Sequence, residues 1–280
     1  MTQQLTDAGR ARRWARDLGP GGVVSAAVVV LVLLAALWPD LLAPGDPTAV
    51  APADAYAPPG PGALLGTDAS GRDVYTRVVH GAGQSLGVGA GATAIGLTIG
   101  VLLGFGAALG PRWLDALLSR VIEVLFSLPS LVLALLLVAV LGAGVGPSVL
   151  AVGLATAPGY ARILRARAQS VARSPYVQAA RLEGVVAPVV FVRHVLPNTV
   201  WPLVAVATLG IGQAIVWVSA LSYLGLGALP PSPEWGAMLN AGRLHITTSW
   251  WLTVAPGLAI TVTAASLTML GRRLSAVAPA

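Results

Sequence analysis

The sequence predicts an all-α, polytopic membrane protein with six transmembrane helices. Of its 280 residues, 56% are hydrophobic and only 10% are charged, whereas soluble domains carry about 25% charged residues. The mean hydropathy is +0.79. Several uncharged runs reach the roughly 20 residues that a helix needs to cross the hydrocarbon core. The arginines between these runs are concentrated in alternate connecting segments, as the positive-inside rule requires.

The composition also excludes several kinds of site. The chain has no Cys, which excludes disulfides, thiolate metal sites and cysteine nucleophiles. All 17 basic residues are Arg, and a Walker A loop needs a Lys, so any ATP hydrolysis must take place on a partner. The three histidines, His80, His194 and His245, lack metal-ligand spacing. We therefore expect no catalytic residue, cofactor or metal, and we attribute the net charge of +6 to membrane orientation rather than to nucleic-acid binding.

The chain begins with an arginine-rich polar segment, residues 1–19, which we place in the cytoplasm. The apolar run from about Leu18 to Pro39 is long enough to span a membrane. An arginine-rich start also occurs in signal peptides, but no convincing small-residue cleavage site follows. Residues 20–80 are therefore predicted to hold an uncleaved first transmembrane helix and then, from residue 40, an external segment rich in Pro, Gly and Asp.

The end of the external segment carries a group of charges. Asp68, Arg72 and Asp73 are close enough in sequence to form a local ion-pair cluster. The alternative is a solvated turn that caps the next helix, and we favour this alternative over a direct role in solute binding.

The second span is predicted from Val78 to Pro111, where there is no Asp, Glu or Arg and His80 is the one ionisable residue. Gly96, Gly100 and Gly104 recur every four residues, as do Gly87 and Gly91. This spacing places small residues on one helix face, where another helix backbone approaches closely. Either a moving interface or static packing would explain the pattern.

The region from Arg112 to Glu123 is predicted as a short charged cytoplasmic loop, with Arg120 and Glu123 at i, i+3 spacing. The uncharged stretch from Val124 to Ala161 is long enough for two spans. The cluster of Gly and Pro at residues 142–147 predicts the hairpin turn between them. Pro129 and Pro158 lie inside these spans and are expected to mark bends or ordinary packing kinks.

The fifth and sixth spans are predicted near Thr199–Leu221 and Trp250–Leu270, with an external segment between them. Trp235, Trp250 and Trp251 are expected at the membrane–water interface, where amphipathic rings are enriched. Residues 274–280 form the predicted C-terminal tail.

Six spans with both termini inside place most of the positive charge in the cytoplasm. In this topology, 14 of the 17 arginines are cytoplasmic, and only Arg72, Arg77 and Arg243 are external. The positive-inside rule supports this orientation.

The longest polar interruption of the C-terminal half, residues 174–198, is thereby cytoplasmic. It is predicted to form two short helices joined by a turn. Ser174 is expected to cap the first helix, Pro175 to occupy its first position and Gly184 to end it in a left-handed conformation. Pro188 is expected to open the second helix, Leu196-Pro197 to end it and Asn198 to cap the fifth span.

Residues 174–198 resemble the EAA loop of ABC importer permeases. The spacing of that motif is present at Gln178, Ala179, Ala180, Gly184, His194, Leu196 and Pro197. Gln178 stands where the family has Glu, and His194 where it has Ile, although the family's peptide/nickel branch commonly has the RHxLPN form. Residues 65–86 and 220–239 resemble two external signatures of the same branch, LGTDxxGRD and LGLGxxPPxPxWG.

The resemblance implies a type I ABC importer permease fold, with the permease domain at residues 81–273 and a coupling loop at 174–198. It implies a C-type permease subunit of the dipeptide/oligopeptide/nickel family in the plasma membrane of a bacterium. The implied partners are a second related permease, two cytoplasmic ATP-binding subunits, an external solute-binding protein and the lipid bilayer.

The resemblance further implies that the short helix from Pro175 to Glu183 docks into a groove of one ATPase. The residues implied in this coupling are Tyr176, Gln178, Ala179, Ala180, Glu183, Gly184, Leu196 and Pro197. The expected cargo is a di- or oligopeptide. The alternatives are nickel or another small solute, or a structural membrane subunit without a transport path, whereas an intramembrane protease is disfavoured because the spans lack Asp and a deep His.

Overall fold

The computed structural model describes residues 2–200 and 202–277, and the part of the chain it describes is helical, without a β-strand. In chain order the helices are α1 (Thr2–Leu37), α2 (Pro39–Leu42), α3 (Val74–Leu109), α4 (Arg112–Ser127), α5 (Ser130–Leu141), α6 (Val145–Ala172), α7 (Pro175–Leu182), α8 (Ala187–Val190), α9 (Leu196–Val200), α10 (Leu203–Tyr223), α11 (Trp235–Gly242) and α12 (Trp251–Val277). The all-α prediction is confirmed. The last residues of the predicted C-terminal tail, 278–280, lie outside the described part.

Four helical stretches of the described residues are long and apolar enough to cross a membrane, namely Gly19–Leu37, Val74–Leu109, Leu203–Tyr223 and Trp251–Ala276. Helices α4 and α5 qualify only as one pair, which is bent by 95°. Pro129 separates them, as expected of a residue that cannot donate a backbone hydrogen bond. The predicted count of six spans is not confirmed, because this total is four, or five with the bent pair.

Helices α3 and α6 pack closely along a stripe of glycines. A Cβ atom at Gly96 would lie 2.5 Å from Thr156 Oγ1, and one at Gly100 would lie 2.6 Å from the Tyr160 Cβ. At Gly104 it would lie 2.8 Å from the Leu164 Cβ. These distances are too short for any residue larger than glycine without movement, so the predicted close approach is confirmed for these three positions.

The region from Arg112 to Glu123, predicted as a loop, is part of helix α4. The Arg120 and Glu123 side chains form the expected i, i+3 contact, with 3.6 Å between Nη1 and Oε2. Helix α4 is amphipathic, and its polar side packs on α6 through an ion pair between Asp115 and Arg165. Sequence reasoning treated charge as a loop signal, but a half-buried amphipathic helix also carries charge.

The segment between α2 and α3, predicted to be external, folds over the N-terminal ends of α3 and α11. The Arg77 guanidinium donates hydrogen bonds to the carbonyl oxygens of Pro47 and Pro231 at 3.1 and 3.2 Å. It also donates to the carbonyl of Ser232 at 3.2 Å. One buried side chain thus joins α3 to the segment at Pro47 and to the segment at Pro231 and Ser232.

The predicted cluster of Asp68, Arg72 and Asp73 is only partly correct. Asp68 lies 3.2 Å from Arg72 and 3.6 Å from Arg77, measured between carboxylate oxygen and Nε. Asp73 instead accepts a hydrogen bond from the Thr76 backbone N–H at 2.8 Å and so caps α3. The favoured alternative, a helix-capping turn, applies to Asp73.

Two of the three tryptophans predicted for the membrane interface are buried within the chain. Trp235 is 2% exposed and Trp251 is 6% exposed, whereas Trp250 is 53% exposed. The Trp235 Nε1–H donates to the Val78 carbonyl at 2.8 Å, and the Trp251 Nε1–H donates to the Thr67 carbonyl at 3.1 Å. The Trp251 indole therefore fixes the segment around Thr67 to α12, and the Trp235 indole joins α11 to α3.

Candidate coupling site

The first part of the loop at 174–198 is helix α7, which ends in a Schellman motif. The Val185 N–H donates to the Ala180 carbonyl and the Gly184 N–H donates to the Arg181 carbonyl, both at 3.1 Å. Gly184 has φ of +83°, the left-handed conformation that glycine adopts without steric cost. The predicted first helix, its proline start at Pro175 and its glycine stop are confirmed.

Ser174 occupies the predicted N-cap position of α7, but its side chain does not make the predicted capping hydrogen bond. Ser174 is the residue before α7, but its hydroxyl donates to the Val171 carbonyl at 2.6 Å and accepts no hydrogen bond from α7. The first turn of α7 is supported instead by Gln178, whose Nε2 donates to the Arg173 carbonyl at 2.9 Å. The residue that replaces the family's Glu therefore holds α7 to the end of α6.

The second part of the loop is one continuous helical stretch rather than a short helix ended by Leu196-Pro197. Helix α8 leads into a π-helical turn, Phe191–Val195, and this turn leads into α9, which contains Pro197. In the π turn the Leu196 N–H donates to the Phe191 carbonyl. Asn198 does not cap a span, because its Nδ2 donates to the His194 carbonyl at 2.7 Å.

The inner side of the loop is a small apolar cluster. Val177 and Ala180 of α7 pack with Val190 and Val195 of the second stretch. The cluster also includes Val171 near the end of α6, and the partly buried Phe105, Val185 and Phe191 pack against it. The rings of Phe105 and Phe191 meet edge to face with 5.4 Å between their centroids. Because Phe105 belongs to α3, the loop is bound to two long helices.

The outer side of the loop is an exposed surface with several large apolar side chains. Leu182 is 89% exposed and Tyr176 is 46% exposed. Val186 and Val192, further along the loop, are 63% and 60% exposed. Large apolar side chains that stay exposed on a loop are candidate contacts for a partner. We call this set the outer loop face.

The structure divides the predicted coupling residues between the two sides of the loop. Tyr176, Gln178, Ala179, Glu183, Gly184 and Pro197 are exposed, and Leu196 is half-buried. Ala180 is 8% exposed and belongs to the inner cluster. Sequence reasoning missed Leu182 and Val186, whose signal was an apolar residue on each side of the polar Glu183-Gly184 turn.

The arrangement of this loop and of the long helices agrees with the comparisons to known proteins. The family described as binding-protein-dependent transport system inner membrane component matches residues 96–276, which include the whole loop. The chain belongs to this family. As an ABC importer permease subunit, it is a transport component of a bacterial inner membrane rather than a catalyst.

Several curated relatives of this permease resemble it along most of their length. The probable D,D-dipeptide transport system permease protein of Escherichia coli K12 is 38% identical over 92% of this chain and 87% of its own length. The di/tripeptide transport system permease protein of Pseudomonas aeruginosa is 38% identical over 87% of this chain and 82% of its own. A glutathione transport system permease protein of Pectobacterium atrosepticum is 35% identical over 92% and 86%.

Solved structures show the same fold. An inward-facing MetNI methionine ABC transporter matches with a TM-score of 0.60 at 16% identity, over 72% of this permease and 97% of that chain. An amino acid ABC transporter solved with histidines matches with a TM-score of 0.57, over 72% and 94%. The predicted class, an ABC importer permease fold, is therefore correct.

Proposed function

We propose that this permease imports di- or oligopeptides and that ATP hydrolysis on separate cytoplasmic subunits drives it. The peptide assignment is supported by relatives named for D,D-dipeptide, di/tripeptide and peptide transport, each at least 36% identical. The division of labour is supported by the absence of Lys from the chain, since a Walker A loop needs one to reach the phosphates. The full importer comprises a second permease, two ATPases and an external solute-binding protein.

The two-sided construction of the loop at 174–198 is the observation that carries this proposal. Its outer loop face presents Leu182 and Tyr176 to a partner, while its inner cluster contacts α3 and α6. An ATPase groove that accepts the outer loop face moves α7 when it closes around ATP. Because protein interiors are close-packed, the inner cluster passes that displacement to the long helices rather than absorbing it.

The coupling test places a charge on the outer loop face. We expect Leu182→Arg to abolish ATP-driven uptake and to release the ATPases during co-purification, because a charge desolvated in an apolar groove without a partner is costly. The matched control is Leu64→Arg in the external segment, where the side chain is 66% exposed. Normal uptake by Leu182→Arg, with the protein inserted, would contradict docking through this face.

The cargo test measures ATPase activity of the reconstituted complex with its binding protein. Stimulation by di- and oligopeptides, and none by chelated nickel, is the expected result. Stimulation by nickel alone would be compatible with the coupling mechanism, but it would show that the cargo is nickel rather than a peptide.

A further inference from the structure

A second feature of the permease lies at the opposite end of the bundle from the coupling loop. An open cavity of about 510 Å³ is bounded by the outer part of α3, the start of α6 and the segment between α10 and α11. It is lined by Gln84, Gly87, Val88, Val145, Val149, Ala228, Ser232 and Glu234. Its volume is within the roughly 300–1,000 Å³ typical of small-molecule sites. Gln84 lies ten residues after the start of α3, which is about 15 Å along a helix.

The cavity exists because α3 and α6 separate towards the outside. At Gly91 an added Cβ would lie 3.3 Å from Val149, but at Gly87 it would meet nothing within 4 Å. Gly87 and Gly91 are four residues apart and share one face of α3, so the gap between α3 and α6 opens between these two positions. The spacing of Gly87 and Gly91 alone predicts a packing contact at Gly87. The structure has open space there instead.

The segment at 224–234 bridges the two separated helices and forms the rim of the cavity. The Gly144 N–H and the Ser148 hydroxyl both donate to the Leu226 carbonyl, at 2.8 and 3.0 Å. On the other side the Ser232 hydroxyl donates to Gln84 Oε1 at 2.6 Å. The rim is therefore fixed to both walls by hydrogen bonds.

The polar groups of this cavity suit a zwitterionic solute. Gln84 is exposed, and its Oε1 is engaged by Ser232, so its Nε2 is the group that faces a solute carbonyl or carboxylate. Glu234 places a carboxylate behind the wall: the residue is 1% exposed, and its two carboxylate oxygens accept hydrogen bonds from the Gly236 and Ala237 N–H groups at 2.9 and 2.8 Å, so it acts on a solute through its charge rather than by direct contact. A negative group beside a cavity of low polarity attracts a solute ammonium and repels anions.

We propose that this cavity is the part of the solute path that the chain contributes, that Gln84 is its polar contact, and that it selects solutes with a free amino group. The proposal rests on the import function proposed above. The remaining apolar wall, Val88, Val145 and Val149, accommodates side chains of varied size because it makes no directional bond.

The test uses single cysteines, which are unique in this Cys-free chain. In the reconstituted complex, we expect Gly87→Cys to react with water-soluble methanethiosulfonate reagents. We expect the ratio of its reaction rate with the cationic trimethylammonium reagent to its rate with the anionic sulfonate reagent to exceed the same ratio for a free thiol in solution. Gly146→Cys is the control, because Gly146 also has open space around it but does not line the cavity. Reaction of Gly87→Cys with lipid-soluble N-ethylmaleimide alone would overturn the proposal, since the cavity would then face lipid.

A transport measurement completes the test. Gly87→Leu fills the cavity and is expected to block dialanine uptake, whereas Gly146→Leu is expected to transport dialanine normally. Equal uptake by both variants would overturn the proposal. If the unmodified complex imports no dialanine, the proposed peptide cargo fails, and the charge preference at Gly87→Cys still decides whether the cavity is an aqueous, cation-selecting site.

Discussion

A single glycine determines the direction in which the coupling loop turns. Gly184 is exposed and has φ of +83°, and an added Cβ atom would meet nothing within 4 Å. Only the backbone conformation therefore restricts substitution at this position. We expect Gly184→Val to weaken ATP-coupled uptake, because a left-handed conformation costs a side chain with Cβ about 1–2 kcal/mol. Uptake per assembled complex is the measurement.

The matched control at this position is Gly184→Asn, since Asn adopts the left-handed conformation more readily than other residues. We expect it to transport close to the unmodified level. Equal loss in Gly184→Asn and Gly184→Val would show that the absence of any side chain, rather than the backbone conformation, is what the site requires.

A single arginine of α3 holds together two connecting segments of the permease. The Arg77 side chain is 7% exposed and contacts three carbonyl oxygens and Asp68. Lysine lacks the planar fork that reaches several acceptors at once. We expect Arg77→Lys to lower the free energy of unfolding by about 1–3 kcal/mol, as for buried acceptors left unpaired. Thermal unfolding in detergent measures it, with Arg120→Lys as the exposed control. An unchanged midpoint for Arg77→Lys would contradict this role.

At the scale of elements, one ion pair between α4 and α6 is partly exposed to solvent. Arg165 Nη2 lies 2.8 Å from Asp115 Oδ1, and both side chains are about one-third exposed, at 33% and 34%. Solvent screens such a pair, so we expect a coupling energy of about 1 kcal/mol or less. A double-mutant cycle with Asp115→Ala and Arg165→Ala, followed by thermal unfolding, measures it. Destabilisation by the double variant equal to the sum of the single variants would show that the pair contributes nothing.

The elements also show what sequence reasoning captured and what it missed. Helix α7 was predictable because Pro175 and Gly184 act locally, through their own backbone dihedrals. The continuation of the helix through Pro197 was not predictable. The preceding π turn, with its hydrogen bond from the Leu196 N–H to the Phe191 carbonyl, changes which backbone carbonyls need a donor from the next turn. The burial of Trp235 was missed as well, since it depends on the Val78 carbonyl far away in sequence. The outer cavity depends on how far two helices separate, which no local pattern records.

At the scale of the whole molecule, α3 connects the two proposed sites. Phe105 contacts the coupling loop, and Gly87 lies in the wall of the outer cavity. The 18 residues between them correspond to about 27 Å of helix. A rigid helix of this length turns a small displacement at the loop into a movement of the cavity wall. Coupling and transport thereby require that the two ends of α3 face opposite sides of the membrane.

This requirement makes orientation the decisive property of the whole molecule. Leu64 and Leu182 are 66% and 89% exposed, one in the external segment and one on the outer loop face. In intact cells we expect a membrane-impermeant maleimide to label Leu64→Cys, and to label Leu182→Cys only after permeabilisation. This orientation is the one that the positive-inside distribution of arginines predicts, and each introduced cysteine is the only thiol in the chain because the sequence has no Cys. Labelling of Leu182→Cys in intact cells would place the loop away from cytoplasmic ATP, and ATPase docking through α7 would then be impossible.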